Sequence, residues 1–247
     1  MAGVIVITGG SRGIGAACAK LAAEAGYDVC LNYRSNAKAA DGMVSQIAAD
    51  GGRAKAVAGD VGDNDDVIAL FKAADEMGQV KGLINNAGIL DVRARVDEMP
   101  PERLERIMRV NILGSFFCAR EAVRRMSTAK GGEGGAIVNL SSAAARLGAA
   151  SQYVDYAASK GAIDTFTRGL ALEVAGEGIR VNGVRPGIID TDIHASGGEP
   201  DRARELRDIV PVKREGTAEE VAQAVLWLMS GKASYVTGAT LDVTGGR

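Results

Sequence analysis

Two side chains four residues apart, Tyr156 and Lys160, are the first pair in this chain whose types and spacing could do chemistry. They fall in a run of good helix formers from 153 to about 177, where positions i and i+4 share a face with Cβ atoms about 5–6 Å apart. A free phenol has a pKa of about 10, and an adjacent ammonium favours the phenolate and should pull that value down. Such a pair would be an acid or base suited to proton transfer at an alcohol or carbonyl oxygen. The same spacing also describes a solvated helix face, so the rest of the chain must decide between the two readings.

One absence removes most competing chemistries. His194 is the only histidine, so a metal held by several imidazoles is excluded and a Ser-His-acid triad would have to use this one residue. It lies in the glycine-bearing stretch 192–198, which reads as a loop, with substrate contact as the other reading. Cys18, Cys30 and Cys118 are widely spaced in apolar surroundings and form no CxxC. They are expected to be buried free thiols, and no metal site is expected.

The elements that must position Tyr156 and Lys160 follow from the hydrophobic pattern. Residues 4–7 form a short β-branched run that reads as a buried parallel strand. Thr8-Gly9-Gly10-Ser11-Arg12-Gly13-Ile14-Gly15 follows, then an alanine-rich helix to about Ala25, stopped by Gly26. Strand, glycine turn and helix together suit a dinucleotide pyrophosphate, because the backbone can approach the phosphates and the helix N-terminus supplies free N–H groups.

Arg12 at that helix start opposes the macrodipole unless an anion lies nearby. The second strand, 28–33, ends in Tyr33-Arg34-Ser35 where an acidic residue would hold a ribose 2′-hydroxyl. No carboxylate stands there to repel a 2′-phosphate, and Arg12 and Arg34 could both bind one, which predicts NADP(H). A solvated Arg34 at a strand end is the plain alternative.

The alternation continues with a helix at 37–50, a strand at 55–58, and Gly59-Asp60-Val61. Asp60 could accept from an adenine amino group or cap the helix that begins near Asn64. Residues 82–88 run from strand into a small-residue turn. A single long helix is expected over 101–126, with Asn111 an awkward polar residue in its interior that suggests a kink or polar contact. Strand 136–140 delivers Ser141 and Ser142, and strand 178–184 leads to Pro186-Gly187. A helix at 218–230 and a strand at 240–243 close the pattern. The chain is therefore expected to be one α/β domain, a single-domain Rossmann fold with a doubly wound, parallel, seven-stranded sheet and helices on both faces.

Composition agrees with a globular protein. The 247 residues are 47% hydrophobic and 24% charged with a formal net charge of −2, which offers no basic surface for nucleic acid. No apolar run approaches the roughly 20 residues of a membrane span, and residues 4–7 follow the start without a basic n-region, so a cytoplasmic protein is expected.

Taken in order, Thr8 to Gly15, Asp60-Val61, Asn85-Asn86-Ala87-Gly88, Asn111, Ser142, Tyr156 with Lys160, Pro186-Gly187 and Tyr235-Val236-Thr237-Gly238 resemble the short-chain dehydrogenase/reductase family across essentially the whole chain. The resemblance implies Tyr156 as general acid or base and Lys160 as holder of the nicotinamide ribose and depressor of the tyrosine pKa. Ser142, better placed than Ser141 by its spacing to the tyrosine, would orient the substrate oxygen, and Asn111 would hold a water in a proton relay. Gly9, Ser11, Arg12, Ile14, Arg34, Asp60, Val61, Asn86, Ala87, Gly88, Ile189 and Thr191 would contact the cofactor.

The implied activity is hydride transfer between NADP(H) and a carbonyl or alcohol, with residues 190–215 as a substrate lid and a homotetramer as the assembly. Reductases of 3-oxoacyl groups on acyl carrier protein are the alternative within the family. Their carrier is acidic, and the stretches 132–136 and 171–173 carry no cation, so a small polyol, sugar or ketone is favoured. A regulator that senses NADP(H) without turnover would be expected to lack Tyr156, Lys160 or Ser142.

Overall fold

The computed structural model describes residues 3–191, 193, 197–199 and 201–247. His194 and Asp192, read above as parts of a loop, lie outside the described residues.

Seven parallel strands form one sheet in the order β3-β2-β1-β4-β5-β6-β7, with β1 Val4–Ile7, β2 Asp28–Tyr33, β3 Ala54–Ala58, β4 Val80–Asn85, β5 Gly135–Leu140, β6 Ile179–Pro186 and β7 Thr240–Val243. All four residues of β1 are fully buried, which is why that strand has no polar alternation. Ile5 and Ile7 pack with the first helix, α1 (Gly13–Glu24), the second, α2 (Ala37–Ala49), and the helix Ala218–Met229. Val4 and Val6 pack on the opposite face with α3 (Asn64–Asp75) and the helices Gly114–Met126 and Val154–Val174. Each such aliphatic side chain contributes about 1.5–3 kcal/mol by leaving water. The doubly wound sheet is therefore as the pattern predicts.

Strand order reverses between β1 and β4, and in open α/β sheets ligands bind in the crevice beyond the carboxyl ends of such strands. A buried polar chain fixes the neighbouring strand pair. Asn85 donates to Asn139 Oδ1 at 2.9 Å, and Asn139 donates to Thr167 Oγ1 at 2.9 Å.

The expected single helix over 101–126 is instead α4 (Pro101–Met108), a π-helical turn (Arg109–Leu113) and α5 (Gly114–Met126). The interruption is centred on Asn111, whose side chain is fully engaged outside the helix: Oδ1 accepts from Ile89 N at 2.8 Å, and Nδ2 donates to Ile89 O at 3.1 Å and Ser159 Oγ at 3.0 Å. A residue drawn out of the ladder in this way is accommodated by a π-bulge.

Beyond β5 the chain forms α6 (Ala144–Leu147) and α7 (Val154–Val174), then, after β6, α8 (Arg202–Glu205) and α9 (Ala218–Met229). Cys18, Cys30 and Cys118 are free and buried, and burial pushes each thiol up to about 12. No helix among the described residues is long and apolar enough to cross a membrane.

Candidate active site

The turn after β1 is held shut from the β4 side. Asn86 donates its amide to Thr8 O at 2.9 Å and Gly9 O at 3.0 Å, while Thr8 Oγ1 accepts from the backbone of Asn86 at 3.0 Å and of Ala87 at 2.9 Å. A Cβ at Gly15 would lie 2.2 Å from Gly9 O, so the helix can approach the turn this closely only without a side chain. Arg12 occupies the N-cap of α1 in an extended conformation and makes no side-chain cap bond. First-turn N–H groups at such a helix start suit an anionic ligand.

Gly9, Ser11, Arg12, Ile14 and Arg34 line a cavity of about 460 Å³ from the ends of β1 and β2. Asp60, Val61, Asn86, Ala87, Gly88 and Thr191 line it from the ends of β3 and β4 and from the loop after β6. One expectation is corrected here. A carboxylate does stand beside Arg34, because the sheet brings Asp60 Oδ2 to 3.2 Å from Arg34 Nε. Pairing across parallel strands, which sequence proximity does not reveal, places it there. Asp60 does not cap α3 either: its Oδ1 accepts from Gly62 N at 2.9 Å, and Asp63 is the N-cap.

Tyr156, Lys160, Ser142 and Ile189 line a second cavity of about 570 Å³ over the ends of β5 and β6. Ile14, Asn86, Gly88 and Thr191 line both cavities, so the two meet along one edge of the sheet. The two serines separate clearly. Ser141 is buried and donates to the carbonyl of Lys160 at 3.1 Å, whereas Ser142 lines the cavity together with Tyr156 and accepts from Ala144 N at 3.1 Å.

The electrostatics differ from the expectation for a phenol beside an ammonium. Burial pushes the Tyr156 hydroxyl up, with the Ser142 hydrogen bond opposing it. Lys160 is 4% exposed and donates to the carbonyl of Leu140 at 2.7 Å. Burial pulls its amine down to about 8, against the field of Asp164 one turn along α7. An amine that itself resists charging, 5.7 Å from the phenol ring centroid, does not overcome the loss of water around Tyr156.

Asn111 lines neither cavity. It sits one layer behind Gly88, where an added Cβ would meet Lys160 Nζ at 3.4 Å and Asn111 Oδ1 at 3.5 Å.

Several residues near the site carried no signal in the sequence. Arg103 and Asp155 form a buried bidentate pair, Nε to Oδ2 at 2.7 Å and Nη2 to Oδ1 at 3.2 Å, and Arg103 also donates to Val92 O at 2.7 Å. Tyr153, Gln152, Arg93 and Arg202 line the larger cavity. Behind them, Glu199 pairs with Arg93 and Arg202 and accepts from Tyr153. Arg93 lies in an irregular segment, Arg103 in α4 and Arg202 at the first position of the short helix α8, and their partners are reached only through the fold, so nothing local marks them as paired cations.

Comparison with known proteins agrees with this architecture. A family model described as enoyl-(acyl carrier protein) reductase matches residues 9–247. An Escherichia coli K12 protein named "Uncharacterized oxidoreductase YgfF" is 52% identical over 245 residues, covering 99% of each chain. A short chain dehydrogenase from Burkholderia cenocepacia J2315 in complex with NADP superposes with a TM-score of 0.91 at 32% identity, covering 100% of this chain and 98% of the other. A 3-ketoacyl-(acyl-carrier-protein) reductase from Brucella melitensis complexed with NADH gives a TM-score of 0.90 at 32% identity, covering 99% and 98%. With these matches spanning nearly the full length, the chain belongs to the short-chain dehydrogenase/reductase family of oxidoreductases.

Proposed function

We propose that this oxidoreductase transfers a hydride between NADP(H) and the carbonyl or alcohol carbon of a small polyol, sugar or ketone, with Tyr156 as the general acid or base. The observation that carries the reading is the convergence of Tyr156, Ser142 and Lys160 on the larger cavity, which shares Ile14, Asn86, Gly88 and Thr191 with the cavity beside the glycine turn. The residues present fit a dinucleotide: a glycine turn opening directly into α1, no room for a side chain at Gly15, and Arg12 and Arg34 on the same cavity. Bound there, the reduced nicotinamide supplies the hydride.

The protein's own groups supply the rest. Tyr156, kept protonated near neutrality by burial, donates its proton to the developing alkoxide. The Ser142 and Tyr156 hydroxyls are the two donors aimed at that oxygen. Lys160 would hold the ribose hydroxyls and return a proton to Tyr156; Asn111, whose side chain is bonded to Ile89 and Ser159, would serve the relay from behind Lys160. Gly9, Ser11, Ile14, Val61, Ala87, Gly88, Ile189 and Thr191 shape the cofactor contact, Asp60 serves the adenine end, and the substrate lid is assigned to the 190–215 segment, of which 192, 194–196 and 200 lie outside the described residues. Exposed Phe116 and Leu172 on α5 and α7, and exposed Trp227 and Leu241 on α9 and β7, support assembly into a homotetramer.

The NADP preference rests on Arg12 and Arg34, and the NADP complex of the Burkholderia relative is consistent with it, whereas the Brucella relative is complexed with NADH. A turnover screen of carbonyls with NADPH and with NADH tests the proposal. Faster reduction with NADPH is expected. A wide preference for NADH would remove the roles given to the two arginines, and no turnover of any carbonyl or alcohol would favour a sensor.

A further inference from the structure

Resting on that catalytic reading, we propose that the substrate carries a carboxylate, received by Arg93 and Arg202 on the Tyr153 side of the larger cavity. Both arginines line the cavity, and no Asp or Glu side chain lines it among the described residues. The one carboxylate that holds them, Glu199, stands behind. Its Oε1 pairs with Arg93, and its Oε2 accepts from Arg202 at 2.9 Å and from Tyr153. Burial alone would raise the Glu199 pKa, but the bonds from Tyr153 and Arg93 and the field of Arg202 hold it low, so it stays ionised.

Among the described residues the two guanidiniums share a single carboxylate, Glu199. Leu90, Leu147, Ile188 and Leu206 form aliphatic walls beside the two arginines, and a charge shielded from water by such walls favours a partner of opposite sign. A neutral sugar or ketone offers none.

The arginines are also oriented in advance. Arg202 donates to Gln152 Oε1 at 2.6 Å and lies 5.2 Å above the Tyr153 ring, and its side chain is only 14% exposed. Arg93, 47% exposed, lines the same cavity. A planar guanidinium fixed in this way matches a carboxylate and loses little freedom on binding it. Arg93, Arg202, Tyr153 and Tyr156 line one cavity, so an anion at the arginines and a carbonyl at Tyr156 would belong to one small molecule with an aliphatic body between them.

The test uses a panel of aliphatic and alicyclic oxo-acids paired with their methyl esters. Each is assayed with NADPH for turnover, and for binding to the enzyme–NADPH complex by fluorescence titration. Several acids should exceed their esters by about tenfold or more in kcat/KM, as expected of a charge-assisted pair, and added salt should shrink that ratio. Arg93→Met should bring the acid-to-ester ratio close to one, and Arg93→Lys should restore part of it. Because the ratio is read within each variant, partial loss of folded protein cancels.

No acid preferred over its ester, or a ratio indifferent to Arg93→Met, overturns the inference. Acids and esters reduced equally would leave the hydride-transfer reading standing. Acids bound preferentially but never reduced would support the anion site and sink the hydride-transfer reading instead.

Discussion

The Lys160 amine lies 5.7 Å from the centroid of the Tyr156 ring and spends a hydrogen bond on the carbonyl of Leu140 at 2.7 Å. With the phenol pushed up by burial and the amine pulled down to about 8, the Tyr156 hydroxyl keeps its proton at neutral pH, as the proposed donor must. Tyr156→Phe should lower kcat for reduction by about 10²–10⁴-fold, the usual size of a lost general acid, while NADPH still binds. Stopped-flow turnover with a parallel NADPH titration checks this; undiminished turnover would remove Tyr156 from the mechanism.

The depressed lysine makes a separate prediction about stability. Between about pH 8 and its ordinary value of 10.5, the unfolded chain binds a proton that the folded chain does not, so stability contributed by this group rises with pH across that window. Below it the folded state carries the full penalty, about 3 kcal/mol. Urea melts of the apoprotein should therefore show wild type gaining on Lys160→Met as pH rises from neutrality towards 10. The buried thiols titrate alike in both proteins and drop out of the difference. A constant gap would show that the amine is not depressed.

Asp164 follows Lys160 by one turn and is the charge that opposes its depression. One oxygen accepts from Arg185 Nε at 2.9 Å, and the other is buried without a hydrogen-bond partner among the described residues. Asp164→Asn should lower the lysine pKa further and move the alkaline limb of the reduction profile to lower pH. The pH profile distinguishes this from a loss of packing, which would scale the curve without shifting it.

Arg34 reaches the nucleotide cavity while paired to Asp60 at 3.2 Å. Arg34→Ala should weaken NADPH by about tenfold or more, the scale of one charge-assisted phosphate contact, and leave NADH nearly unchanged. Asp60→Asn should relax the orientation of Arg34 and reduce the same preference more modestly. Titrations with both nucleotides decide, and equal losses for the two would place Arg34 away from the 2′-phosphate.

The Arg103–Asp155 pair is buried on both sides, at 5% and 1% exposure. Removing one partner strands a buried charge, typically at about 3–5 kcal/mol. Arg103→Met should lower the urea midpoint strongly, and Arg103→Met with Asp155→Leu should recover much of the loss. No recovery in the double variant would mean the pair is not the source of the effect.

Much of this architecture was legible because hydrophobic runs and glycine turns are local signals. The β1 run, the turn through Gly15 and the Tyr156/Lys160 spacing all depend on residues within a dozen positions of one another. What escaped depends on side chains that meet only after the sheet forms. Asp60 beside Arg34 is set by the pairing of β2 with β3, and the break at Asn111 is set by Ile89, 22 residues away. The direction of the Tyr156 shift was misjudged for the same reason: spacing shows that an ammonium is near, but only the packed structure shows how little water reaches either group.

The Asn85–Asn139–Thr167 chain has a consequence for the distance over which hydride must travel. β4 carries Asn86 and Gly88 to the nucleotide cavity, and β5 carries Ser142 to the other. Aliphatic contacts between these strands are non-directional and tolerate sliding, yet a slip of two residues would displace one ligand edge by about 6.6 Å. Reacting atoms must come within about 3–3.5 Å, so such a slip would abolish transfer without unfolding anything. Amide-to-amide bonds can be satisfied at one alignment only, and they act as a gauge pin that sets the gap between donor and acceptor before either ligand arrives.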